Sequence, residues 1–188
     1  MEARAAAERA VNGATRASDV IKRIRSLINK TPPEKVPVQL NEVIEEVVSL
    51  TEGQASRNNV SVAVELAPEL PIVLGDRIQF QQVILNLMMN GIEAMAGVGD
   101  SQRQLHIKSC VPAVDRVCVS IRDTGIGVGA ESMERLFEPF FTTRSEGIGM
   151  GLPISLSIIE AHGGRLWAES TIDQSSVFQF TLPTGQGV

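Results

Sequence analysis

Tyrosine is absent from the 188 residues, tryptophan occurs once, and aromatics total 4%. Any core must therefore be filled by Val, Ile, Leu and Met, and 43% hydrophobic residues supply enough of them. A basic excess is missing as well: 17 Lys and Arg face 22 Asp and Glu, a net charge of -5. This argues against a dedicated nucleic-acid binder, which needs clustered positive charge for phosphates. No apolar run approaches the roughly 20 residues that cross a bilayer, and no signal-peptide pattern opens the chain. There are only two cysteines, Cys110 and Cys118, each in an apolar, strand-like stretch. They read as buried thiols rather than a disulfide, which fits a cytoplasmic location. Whether a longer parent chain is membrane-anchored stays open. The length suits one domain, or one domain with an appendage. Met1 leads directly into charged helix, as expected of a piece of a longer protein.

Residues 3–29 read as one helix, with Val20, Ile21, Ile24, Leu27 and Ile28 at helical spacing and a stripe of small residues upstream. A narrow stripe suits packing on a second helix, in a dimerisation unit, or on the chain's own domain. "TPPEKVP" at 31–37 breaks the helix and marks a linker. Beyond it, 38–185 reads as a separate domain. A short strand over 36–40 precedes a helix over 42–58, with Asn41 as its N-cap. Strands follow at 59–66 and 71–76, and Asp76 can cap a helix over 77–96. Further strands fall at 103–110 and 116–122, then glycine-rich loops, a short helix, and a helix over 152–162. Strands at 165–170 and 176–182 close the order. Helices and strands mix without regular βαβ alternation. That implies an α+β fold, a two-layer α/β sandwich with helices on one face of a mixed sheet.

Three stretches carry candidate chemistry. In "RIQFQQVILNLMMNGIEAM", Gln79, Gln82, Asn86, Asn90 and Glu93 recur at steps of three and four, which stacks them as one polar stripe. Solvent faces favour Lys, Glu and Arg, and asparagine is a poor mid-helix residue. A site explains two asparagines one turn apart better, and an amide oxygen can ligate Mg²⁺. In "VCVSIRDTGIGVGA", Asp123 ends a strand and Gly125, Gly127 and Gly129 follow. A dinucleotide-binding G-x-G-x-x-A reading fails here because the next helix is very short and no parallel strand with a terminal acid follows. An acid at a strand end can instead accept a hydrogen bond from an adenine amine, with glycines letting backbone approach the base. In "FEPFFTTRSEGIGMGL", Gly147, Gly149 and Gly151 run into a helix whose N-terminus offers N–H groups to a phosphate. No phosphate-binding G-x-x-x-x-G-K-[ST] occurs. The glycines are expected to give a flap its backbone freedom, with Phe137, Phe140 and Phe141 pinning its first end to the core.

"NLMMNGIEAM", "DTGIG", "FEPFFTT" and "GIGMGL", in this order, resemble the four nucleotide-binding boxes of the bacterial sensor histidine kinases. The resemblance covers about 36–183. "RASDVIKRIRSLI" is similar to the second helix of that family's dimerisation and phosphoacceptor unit. The implied fold is the ATP-binding sandwich shared with heat-shock chaperone, mismatch-repair and type II topoisomerase ATPases. The implied cofactors are ATP and Mg²⁺. By this resemblance Asn90 is the metal ligand, and Asn86 assists at the metal or phosphates. Asp123 binds the adenine amine, and Gly125 and Gly127 shape its pocket. Gly147, Gly149, Gly151 and Leu152 face the phosphates, and Phe140, Thr143 and Arg144 belong to the closing segment. The related hydrolytic ATPases carry a glutamate where Asn86 stands, and an amide cannot act as that base. The implied reaction is transfer of the γ-phosphoryl to a histidine.

The chain departs from that pattern in three places. Gly91 replaces an alanine, which is expected to loosen the helix. Glu93 stands where relatives often have lysine, which leaves Arg144 as the expected phosphate cation. His106 and His162 are the only histidines, and neither sits in a phosphoacceptor context, so the acceptor is expected on another segment. Expected partners are that histidine-bearing helix, a response regulator, and a second copy joined weakly through residues 3–29. Two other readings stay open: a serine protein kinase of the anti-sigma type, and a nucleotide-binding module without transfer activity.

Overall fold

The computed structural model describes residues 35–96, 98–99, 103–143, 147–171 and 175–185. The chain divides into two compact units, 1–32 and 33–188. The expected helix over 3–29 lies outside the described residues, and all that follows concerns the second unit.

That unit begins with β1 (Val36–Val38) and α1 (Leu40–Arg57), followed by β2 (Ser61–Glu65), β3 (Val73–Gly75) and α2 (Arg77–Ala94). β4 (Gln104–Ala113) and β5 (Arg116–Asp123) form a hairpin. The short α3 (Ala130–Arg135), α4 (Gly151–Ala161), β6 (Arg165–Thr171) and β7 (Ser175–Pro183) complete it. Five strands make one sheet in the order β2-β4-β5-β7-β6, with β2 parallel to β4 and the other pairs antiparallel. β1 and β3 pair separately. This is the expected mixed sheet with helices on one face. Among the described residues no helix is long and apolar enough to cross a membrane.

Period-two alternation sorts the sheet. Leu105 and Ile107 on β4, Val117, Val119 and Ile121 on β5, and Phe178, Phe180 and Leu182 on β7 are all buried. They meet Val43, Ile44 and Val47 of α1, Phe80, Val83, Ile84, Leu87, Met88 and Ile92 of α2, and Ile154, Ile158 and Ile159 of α4 in one core. A fully buried side chain of this kind contributes about 1.5–3 kcal/mol. The alternate strand residues, among them His106, Lys108, Cys110 and Ser120, occupy the sheet's other face, which carries no helix among the described residues.

α2 starts where the sequence places it. Asp76 Oδ1 accepts from the Ile78 and Gln79 amides at 2.9 and 3.2 Å, a cap of a kind worth about 1 kcal/mol. The Asn41 cap is not formed. α1 starts at Leu40 after Gln39, without a side-chain cap. Asn41 instead donates to the Ala67 carbonyl at 2.8 Å and accepts from the Ser109 hydroxyl at 2.9 Å. Its amide ties the loop after β2 to β4, and a tertiary bond has taken the group that a local cap would have used.

His162 is structural. It is 2% exposed at the end of α4. Nδ1 donates to the Ile158 carbonyl at 2.8 Å, and Nε2 accepts from the Asp76 amide at 3.2 Å. Its ring lies 4.6 Å from that of Phe80. These contacts fix one neutral tautomer and join the end of α4 to the start of α2.

Candidate functional site

α2 is the spine of the site. Its polar stripe is neither solvated nor core: Gln79, Gln82, Asn86 and Asn90 are half-buried, and only Glu93 is exposed. Half-burial along one row sets it apart from the apolar face of the helix, which is buried in the core.

At one point along this spine, Asn86 meets α4. Its amide nitrogen donates, in two long bonds of 3.4 Å, to the Gly151 carbonyl and the Ser155 hydroxyl. Ser155 in turn donates to Gly151 at 3.0 Å. The stripe therefore touches the first turn of α4, where free N–H groups and the positive dipole end favour an anion. Gly151 and Leu152 are half-buried there. Ser155 is a site residue that the sequence reading missed. Its signal was a hydroxyl one turn into "GLPISLSIIEA", four residues after Gly151 and so on the same helix face, unlike Ser157.

Five residues further on, α2 meets Asp123. Five residues of helix advance about 7.5 Å. Gly91 is buried, and a Cβ on it would fall 2.5 Å from Leu105 Cδ1 and 3.2 Å from Asp123 Cβ. Gly91 thus sits tightly against Leu105 of β4 and Asp123 of β5, where an added Cβ would need the Leu105 methyl to move aside. Asp123 is 1% exposed at the end of β5, and its Oδ1 accepts from the Gly125 amide at 2.9 Å. A Cβ on Gly125 would lie 2.8 Å from the Ala94 carbonyl oxygen and 2.7 Å from Asp123 Oδ1. Only glycine fits between the strand-end acid and the helix. Gly127 then turns with φ 71°, and the Val128 amide donates to Ser170 on β6 at 2.8 Å, which anchors the turn. Asp123, Gly125 and Gly127 thus form one buried acidic corner beside the second half of α2.

The phenylalanine stretch differs from expectation. Phe137 packs against the core. Phe141 is half-buried beneath the Arg135 guanidinium, 4.5 Å from the ring centre. Phe140 is 66% exposed, with a left-handed φ of 67°, so it does not pin anything to the core. Gly149 is not a free hinge either. It has φ 68°, and a Cβ on it would lie 2.5 Å from both the Phe140 carbonyl carbon and the Phe141 oxygen. The Phe140 amide donates to the Gly149 carbonyl at 3.0 Å. Two left-handed residues nine positions apart are clasped backbone to backbone, and this clasp, rather than three buried rings, closes the base of the loop. Thr143 and Gly147 are exposed on that loop. Arg144 lies outside the described residues.

A buried strand-end acid walled by glycines, a helix that carries amides, and a facing helix N-terminus are thus brought together on one side of the domain. Residues 75–186 match the family of histidine kinase-, DNA gyrase B-, and HSP90-like ATPases, and the chain belongs to that family. Its similarities lie with the histidine-kinase branch. It is 42% identical over 178 residues to the sensor protein FixL of Bradyrhizobium diazoefficiens, covering 95% of this chain and 35% of that protein. The catalytic domain of histidine kinase ThkA superimposes with a TM-score of 0.71 at 36% identity, covering 80% of this chain and 96% of that domain. ThkA in complex with the response regulator TrrA matches with a TM-score of 0.76 at 31% identity, over 93% of this chain and 49% of that one. The chain is thus an ATP-binding catalytic domain of the histidine-kinase type. It spans between about a fifth and a third of the curated sensor proteins it matches, at 35%, 19% and 32% of their lengths.

Proposed function

We propose that the chain binds Mg-ATP and delivers its γ-phosphoryl group to a histidine on a dimerisation helix of the parent kinase. The observation that carries this is the chemistry of the α2 stripe. Its half-buried positions hold amides, Gln79, Gln82, Asn86 and Asn90, and the one carboxylate of the stripe, Glu93, is exposed at its far end. Asn86 touches the first turn of α4, where phosphates would lie, yet its amide has no basic lone pair with which to activate water. A site that grips a triphosphate without a base favours transfer over hydrolysis, since phosphoryl transfer needs mainly positioning and charge neutralisation.

The donor set fits a magnesium ion brought in by the nucleotide. Among the described residues no cluster of three His, Cys, Asp or Glu side chains is placed to hold a metal alone. The Asn86 nitrogen is engaged as a donor, which leaves Oδ1 as its ligand atom, and Asn90 offers a second amide oxygen one turn away. Neutral oxygens suit Mg²⁺ when phosphates supply the charge. Bound there, the ion would offset phosphate charge. Asp123 would accept from the adenine amine, the α4 N-terminus would hold phosphate oxygens, and Arg144 and Thr143 would complete the phosphate contacts.

The two histidines of the chain support an acceptor elsewhere. Both ring nitrogens of His162 are engaged within the core, and His106 Nε2 lies 3.7 Å from a Glu65 carboxylate on the sheet. The ThkA complex motivates a response regulator as the downstream partner, and residues 3–29 would supply a weak homodimer contact. Incubation with γ-labelled ATP should leave the chain itself unlabelled. Adding a separate histidine-bearing helix pair should produce acid-labile, base-stable phosphate on that pair. Label on His106 or His162, phosphoserine on a partner, or brisk hydrolysis alone would each overturn the proposal.

A further inference from the structure

Cys110 and Cys118 are the only cysteines of the chain, and the fold puts them opposite each other. They are register partners across the β4–β5 ladder. Both belong to the face of the sheet that carries no helix among the described residues, Cys110 half-buried and Cys118 7% exposed. Direct partners on antiparallel strands have Cα atoms about 4.5–5.5 Å apart, inside the roughly 4.4–6.8 Å that a disulfide requires. Their Cβ atoms stand about 4.5–5.5 Å apart, against about 3.5–4.5 Å in a disulfide, so closure needs an approach of up to about 1 Å. The ladder has slack at that rung. Immediately past Cys110 the register shifts, with Val111 and Pro112 opposing Val117 alone before Ala113 pairs with Arg116. A bulge lets its strand bend, and Pro112 has no amide to hold it in the ladder. Burial first, and the neighbouring Cys110 second, push the Cys118 thiol up to about 11. Cys110, the more exposed of the two, is the one a small oxidant reaches first, and the buried Cys118 is placed for the second step.

We propose that Cys110 and Cys118 form a peroxide-oxidisable dithiol that closes reversibly into a cross-strand disulfide. The Cys110 sulfur, as thiolate, attacks one peroxide oxygen. The O–O bond breaks, and the departing oxygen leaves as water once protonated. Cys110 becomes a sulfenic acid. The Cys118 sulfur then attacks the Cys110 sulfur and loses its proton, an S–S bond forms, and the sulfenic oxygen leaves as a second water. One peroxide is reduced to two waters as two thiols are oxidised, and a dithiol reductant reverses the change. The same two strands carry Leu105 and Asp123 as rung partners at the other end of their ladder, so the crosslink stiffens the hairpin that bears the buried acid.

The test is a thiol count on the intact folded chain. After treatment with dilute hydrogen peroxide, the protein is denatured, alkylated and analysed by mass spectrometry. The expected product is a monomer that has lost two hydrogens, takes no alkyl groups, and yields one peptide pair joined through Cys110 and Cys118. Reduction by dithiothreitol should restore both alkylation sites. Cys118→Ser should leave Cys110 at sulfenic or higher acids with no crosslink; should that variant not fold, the wild-type peptide map decides by itself. Two alkylatable thiols after peroxide, sulfinic acid on Cys110 with Cys118 still alkylatable, or a crosslink between two chains would each overturn the proposal.

Discussion

Gly149→Ala should open the clasp at the base of the phenylalanine–glycine loop while leaving the rest of the domain folded. Alanine in the left-handed region costs about 1–2 kcal/mol. Its Cβ would also stand 2.5 Å from the Phe140 carbonyl carbon and the Phe141 oxygen. These are backbone atoms that cannot rotate aside, and overpacking of this kind costs about 1–3 kcal/mol. The strain totals about 2–5 kcal/mol. The hydrogen bond that holds the clasp, from the Phe140 amide to the Gly149 carbonyl at 3.0 Å, returns only about 0.5–1.5 kcal/mol. Strain exceeds restraint, so the clasp should release instead of storing the strain, and global stability should fall by no more than about 1.5 kcal/mol. The change should appear locally. Amide exchange read by NMR should show Phe140 exchanging about tenfold faster or more, since 1.4 kcal/mol is a factor of ten. Gly151→Ala is the contrast. Its added Cβ would lie 3.8 Å from Asn86 Cγ, an ordinary contact, and a helix gains up to about 1 kcal/mol on exchanging Gly for Ala. That variant should be as stable as wild type or more so. Unchanged Phe140 exchange in Gly149→Ala would refute the clasp. Loss of the full 2–5 kcal/mol in urea unfolding would refute its local character.

Asp123→Asn should weaken ATP binding by roughly 10- to 150-fold, the loss of a hydrogen bond to a charged group at about 1.5–3 kcal/mol, and should erode rejection of GTP. Calorimetry with both nucleotides checks this, and equal affinities in wild type and variant would remove Asp123 from the base pocket. His162→Ala should lower stability by about 2–5 kcal/mol in urea titration, because it leaves a cavity against Phe80 and strips partners from the Asp76 amide and Ile158 carbonyl. A loss under about 0.5 kcal/mol, the ordinary surface range, would contradict its structural role. The raised Cys118 thiol predicts alkaline sensitivity. A thiol of ordinary value near 9, pushed up to about 11 by burial first and by Cys110 second, is held protonated by the fold. Its contribution is fully present below about pH 9 and is lost as pH rises to about 11. Thermal melts across that window should fall less steeply for Cys118→Ala than for wild type, and parallel curves would contradict the assignment.

What the sequence by itself determined is local or periodic. Asp76 was legible as a cap because its carboxylate answers amides two and three residues ahead. The α2 stripe was legible because helical spacing stacks Gln79, Gln82, Asn86 and Asn90. The element order of the 38–185 region, its mixed sheet and the order of its nucleotide-binding boxes could all be read before any coordinates. Tertiary structure alone decided what depends on a distant partner. Asn41 looks like a cap until Ala67 and Ser109, 26 and 68 residues away, claim its amide. Gly91 and Gly149 look like flexible glycines until Asp123, Leu105 and the Phe140 backbone arrive where their side chains would be. Phe140 looks like an anchor, yet its left-handed backbone turns the ring to solvent. Cys110 and Cys118 are two strand residues in the sequence, and only the β4–β5 register makes them a pair. Helix caps and stripes are set by bonds that span three or four residues, which a linear reading can see. Register, close approach and the choice between rival hydrogen-bond partners depend on which segments meet when the core closes, and no short window of sequence contains that information.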